Sequence, residues 1–77
     1  MGVTAYILVK SNTSEADRVK GEIETLDGIE QANIVAGDVD FIAKVSADTP
    51  GTVKDIVASG IQTISGVENT QTYIAMG

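Results

Sequence analysis

A chain of 77 residues has room for one domain, spanning 1–77, and at this size only about 60% of the unfolded surface is buried, so a second subunit is expected to help. Histidine and cysteine are both absent, which removes the commonest general base, the commonest metal ligands and any disulfide. Eleven acidic residues against five basic ones give a net charge of −6, a surface that repels phosphate backbones and argues against direct DNA binding.

Val3 to Lys10 is dense in β-branched and aromatic residues and is bounded by Ser11-Asn12-Thr13, which predicts a strand. Ser14 with Asp17 resembles a capping box. Behind it Ala16, Val19, Ile23 and Leu26 recur at spacings of three and four, predicting an amphipathic helix that Gly28 ends. Two strands follow, Ile29 to Ala36 and Val39 to Ser46, joined by Gly37-Asp38 as a two-residue hairpin turn whose first position takes positive φ. That register sets Ala36 opposite Val39, Ile34 opposite Phe41 and Ala32 opposite Ala43, making one apolar face with Val45. The opposite face, with Asn33, Val35, Asp40, Ile42 and Lys44, is mixed. Thr49-Pro50 opens a second helix with a threonine cap and proline at the first helical position. Its buried stripe is Val53, Ile56, Val57, Ile61 and Ile64; Gly60 suits close packing on the sheet, and Gly66 closes the helix before a last strand, Val67 to Met76.

The order β-α-β-β-α-β predicts a ferredoxin-like α+β sandwich: an antiparallel four-stranded sheet, strands one and three central, with two helices on one face. The halves echo each other, Leu26-Asp27-Gly28-Ile29-Glu30 against Ile64-Ser65-Gly66-Val67-Glu68. The open face, with Val35, Ile42 and parts of the outer strands, predicts a homodimer packed sheet to sheet. No stretch approaches the roughly 18 apolar residues of a membrane span, and no signal pattern opens the chain, so a cytoplasmic location without a membrane partner is expected.

Gly37-Asp38-Val39-Asp40 is the most distinctive polar cluster, although Gly-Asp is also the ordinary chemistry of a tight turn. Thr70, Gln71, Thr72 and Tyr73 form a polar run whose hydroxyls suit a small polar ligand, and equally suit a strand. The serines have no histidine to activate them, and no phosphate loop, dinucleotide fingerprint or calcium loop is present; no catalytic residue, metal or cofactor is assigned.

Gly37-Asp38-Val39-Asp40-Phe41, then Ile64-Ser65-Gly66-Val67, then Thr70-Gln71-Thr72-Tyr73-Ile74, preceded by Ala5-Tyr6-Ile7-Leu8-Val9-Lys10, resemble in order and spacing the C-terminal domain of the Lrp/AsnC transcription regulators, called RAM. The resemblance implies dimers assembling into rings such as an octamer, with an amino-acid effector bound between dimers. It also makes Gly37, Asp38, Val39 and Asp40 ligand-binding candidates, with Thr70, Thr72 and Tyr73 behind them. Because the chain starts at its first strand with only Met1 and Gly2 before it, a stand-alone form without the helix-turn-helix domain is expected, acting through a full-length Lrp/AsnC regulator. The rival readings are a small dimeric ferredoxin-like enzyme and a purely structural oligomerisation protein.

Overall fold

The computed structural model describes residues 2–76, so the methionine start lies outside the described residues. The β-branched run at the N-terminus forms β1 (Val3–Ser11), and the periodic segment after it forms α1 (Ala16–Glu24). Then come β2 (Ile29–Ile34), β3 (Phe41–Ala47), α2 (Pro50–Ser59), a 3-10 turn over Ile61–Thr63, and β4 (Val67–Ile74). The sheet order is β2-β3-β1-β4 with every pairing antiparallel, the ferredoxin-like arrangement, and both helices lie on one face.

Alternation divides the sheet cleanly. Ala5, Ile7 and Val9 of β1 face Val45, Ala43 and Phe41 of β3, and all six are buried. Val19 and Ile23 of α1 close on them from above, with Val53 and Val57 of α2 and Ile61 and Ile64 beyond it. No polar or charged residue is buried among the described residues, so the core asks for no internal hydrogen-bond network. The Cα radius of gyration, 11.5 Å, equals the roughly 11.5 Å expected for a compact chain of this length.

Thr49 caps α2 as its sequence predicts: the hydroxyl accepts from the Thr52 N–H at 3.1 Å, and Pro50 follows. The predicted capping box on α1 does not form. Helix α1 starts at Ala16 without a side-chain cap, and the Thr13 hydroxyl instead accepts from the Glu15 N–H at 3.1 Å, one turn position too early for Ser14 to cap.

Helix α2 also stops earlier than its apolar stripe suggests. Gly60 leaves helical geometry at ψ −78°, and the chain tightens into i→i+3 bonds, Thr63 N–H to Gly60 O and Ile64 N–H to Ile61 O. A side chain at Gly60 would meet the Ile56 carbonyl of α2 and Leu26 Cδ1 at 2.9 Å, so the close approach there is to its own helix and to the chain leaving α1 rather than to the sheet. Gly28 and Gly66, at φ +93° and +99°, each hold the third position of such a turn: Ile29 N–H bonds Leu26 O and Val67 N–H bonds Ile64 O. The internal echo in the sequence is thus one turn built twice, each using glycine to enter left-handed geometry.

At the far ends of the sheet, the Ala75 N–H donates to Thr4 O at 2.8 Å, placing the start of β1 beside the end of β4. Ile34, predicted on the apolar face, is 46% exposed because it ends the edge strand β2, while Phe41 opposite it on the inner strand is buried.

Candidate functional site

The link between β2 and β3 is a six-residue loop, 35–40, rather than the predicted two-residue turn. The register survives, with Ile34 opposite Phe41 and Ala32 opposite Ala43, but Ala36 and Val39 leave the strands and Gly37 takes φ +156°, far from the roughly +60° of a II′ turn. Asp40 accounts for the difference. Its carbonyl accepts from the Val35 N–H at 2.9 Å, closing the loop; its own N–H donates to Val9 O at 2.9 Å; and its carboxylate accepts from the Ser11 N–H at 2.8 Å. The last two bonds carry the loop onto β1, which a two-residue turn would hold back along β3.

Anchored there, the loop overhangs the end of β1 and β4 and closes a cavity of about 250 Å³. Asp38 and Val39 supply one wall, Leu8 and Lys10 of β1 the floor, and Asn69, Thr70 and Gln71 of β4 the other wall. Lys10 Nζ donates to the Asp38 carbonyl at 3.5 Å, a long contact that leaves two of its three N–H donors for another acceptor. The lining of this small hollow therefore includes one lysine, one aspartate and two amide residues.

Of the residues singled out in the sequence, this cavity gathers Asp38, Val39, Thr70 and, from the polar run, Gln71. Gly37 is exposed in the loop and forms none of the wall. Asp40 stands behind the loop, bonded to β1. Tyr73 pairs across the strands with Tyr6 on the face without helices, 55% and 41% exposed, its hydroxyl 3.5 Å from Gln71 Oε1. Thr72 lies on the other face, where it joins Thr70 and Gln62 along a larger cavity of about 460 Å³ between α2 and β4. The second cavity is the larger of these two; the first has both a lysine and an aspartate in its lining, which suits a zwitterionic ligand.

Lys10 and Asn69 were missed in the sequence, and Gln71, noted there as part of a polar run, was not among the ligand-binding candidates, although the signal existed. In an antiparallel β1–β4 pair, Lys10 falls opposite Asn69 and Leu8 opposite Gln71, on the face away from the helices. Elsewhere, Arg18 holds Glu15 and Glu22 on the exposed face of α1. Hydrogen bonding to Glu22 above all raises the guanidinium pKa, leaving it charged throughout the physiological range. Among the described residues no three or more acidic side chains converge in a way that could hold a metal ion, and no helix is long and apolar enough to cross a membrane.

The family model of the Lrp/AsnC ligand binding domain matches residues 4–77. Uncharacterised HTH-type transcriptional regulators of Pyrococcus furiosus and Pyrococcus abyssi are each 30% identical over 78 aligned positions, covering 97% of this chain and 52% of theirs. The chain thus spans about half the length of the curated relatives it matches. A solved protein of Thermus thermophilus superposes with a TM-score of 0.91 at 27% identity, over 97% of this chain and 94% of its own. The feast or famine regulatory protein of M. tuberculosis, solved in complex with L-methionine, shares the fold with a TM-score of 0.82 at 20% identity, over 97% and 50%. With all but its first three residues inside that family model, the chain belongs to the Lrp/AsnC ligand binding domain family.

Proposed function

We propose that the chain works as one amino-acid effector-binding unit, with the effector held in the cavity between the 35–40 loop and the β1–β4 end. The observation that carries this reading is the placement of Lys10 and Asp38 in the walls of one small hollow. Lys10 suits the α-carboxylate, Asp38 the α-ammonium, and the Asn69 and Gln71 amides the remaining polar edges. Gly37 and Val39 contribute the loop itself, Thr70 the wall, and Asp40 the bonds that fix the loop's position. The L-methionine complex of the M. tuberculosis relative supports an amino acid as the ligand class.

The exposed Tyr6–Tyr73 pair and the half-buried Leu8 and Ile42 lie on the helix-free face, which supports a sheet-to-sheet homodimer, assembling further into a ring such as an octamer. Tyr73 shares that face with the cavity and reaches it only through Gln71, and Thr72 lies on the opposite face, so neither lines the proposed site within one chain. Any effect on transcription runs through a full-length Lrp/AsnC regulator, consistent with the HTH-type regulators among its relatives. The role is regulatory rather than catalytic.

A thermal-shift screen against the common amino acids tests this. One or a few of them, at about ten times Kd, are expected to raise Tm by roughly 5–10 °C. Asp38→Asn and Lys10→Gln should each remove the response. A shift that survives both substitutions places the ligand elsewhere, and no shift with any amino acid leaves the purely structural role.

A further inference from the structure

We propose that the cavity between α2 and β4 is a second binding site, taking a small aliphatic monocarboxylate that carries no amino group. It is independent of the amino-acid reading and lies on the opposite face of β4.

The first observation concerns charge. Three of the five basic residues are paired with carboxylates: Arg18 with Glu15 and Glu22, Lys20 with Glu24, and Lys44 with Glu30. Lys10 and Lys54 alone have no carboxylate within ion-pair distance among the described residues, in a chain with eleven acids to choose from. Each of these two lines a cavity, Lys10 the polar one and Lys54 the one beside α2. On its own helix Lys54 has Pro50 and Ala58 at four residues' distance and Gly51 and Val57 at three, so no side chain there satisfies it.

The second observation concerns the walls. Val53 and Val57 are buried beneath the cavity and Ile74 is half-buried across it, giving an apolar bed of about 460 Å³, within the usual range for a small-molecule site. Its polar groups are few: Gln62 Nε2 donates to Thr70 Oγ1 at 2.8 Å, and the Thr72 hydroxyl, also in the lining, has no hydrogen-bond partner among the described residues. Lys54 on α2 and Thr72 on β4 lie on opposing walls and can both donate to one carboxylate, with the aliphatic body on the valines.

The third observation separates this ligand from an amino acid. None of the residues lining the cavity is Asp or Glu. An α-ammonium entering it would lose water without gaining a counter-charge, and the cost of that desolvation selects against it. The polar cavity, by contrast, has Asp38 in its wall. The two sites therefore divide by one group, the amine.

Amide and methyl NMR on the intact chain tests the assignment, with isocaproate as the probe and two comparators: L-leucine, which adds the amine, and isohexanol, which replaces the carboxylate. Isocaproate is expected to shift Thr72 and Val57 resonances saturably, Lys54→Gln to weaken it about tenfold, and isohexanol binding to be indifferent to that substitution. Lys54 is exposed, so the variant keeps its core. Asp38→Asn should leave isocaproate binding unchanged. Ala58→Phe, filling the cavity from an exposed position, should abolish both probes while thermal unfolding shows the fold intact. Unaltered isocaproate affinity in Lys54→Gln, L-leucine moving the same resonances as tightly, or no shift up to about 10 mM would each overturn the proposal.

Discussion

Asp40 uses its N–H, its carbonyl and its carboxylate to hold the chain rather than to face solvent. A charged acceptor on a backbone donor is worth about 1.5–3 kcal/mol, less where it is only partly buried, so Asp40→Ala is expected to cost about 1–2 kcal/mol in urea unfolding and to speed hydrogen exchange at the Ser11 amide. Amino-acid affinity should fall without a change in which amino acid is preferred, since the loop loses position rather than chemistry. An Asp40→Ala chain with native Ser11 protection would show that the loop needs no such anchor. The sequence marks Asp40 as unusual, yet its role rests on a bond 29 residues away in the chain, which no local pattern encodes. Lys10 is similar: it reads as the polar end of a strand until β4 and the loop are laid beside it.

Single elements follow local chemistry closely where that chemistry is short-range. The Thr49 cap, the Pro50 start and the glycine turns at 28 and 66 are all legible, because each rests on bonds spanning three or four residues. Thr49→Ala should cost about 1 kcal/mol. Gly66→Ala should cost about 2 kcal/mol, since the position needs φ +99° and a Cβ there would come within 2.7 Å of Thr13 Cγ2. Urea melts of the two variants decide the order, and a Gly66→Ala chain as stable as the parent would contradict the geometry. The end of α2 and the length of the 35–40 loop were not legible for the converse reason. The apolar stripe runs on through Ile61 and Ile64, which are buried by a 3-10 turn as effectively as by a helix, and Asp40 is drawn to β1 by a partner outside its own hairpin. Periodicity reports which residues are buried, not which backbone buries them.

For the molecule as a whole, the pattern of alternate burial across β1 and β3 divides helix side from open side, and that division was readable from the sequence alone. The cavities were not, because each is assembled from three elements distant in sequence. On the open side, Tyr6→Lys with Tyr73→Lys places two like charges opposite one another where a second sheet would pack. Light scattering is expected to report a monomer for this double variant, with far-ultraviolet dichroism unchanged; a persistent dimer would move the interface off this face. The bond from Ala75 to Thr4 carries a separate meaning. The start of β1 and the end of β4 meet at one corner, while the 35–40 loop reaches over the Ser11 end of β1, a strand's length away. The path is close to a closed ring with its seam at that corner. A domain fused before β1 or after β4 would thus join the sheet at the corner opposite the Asp38 hollow.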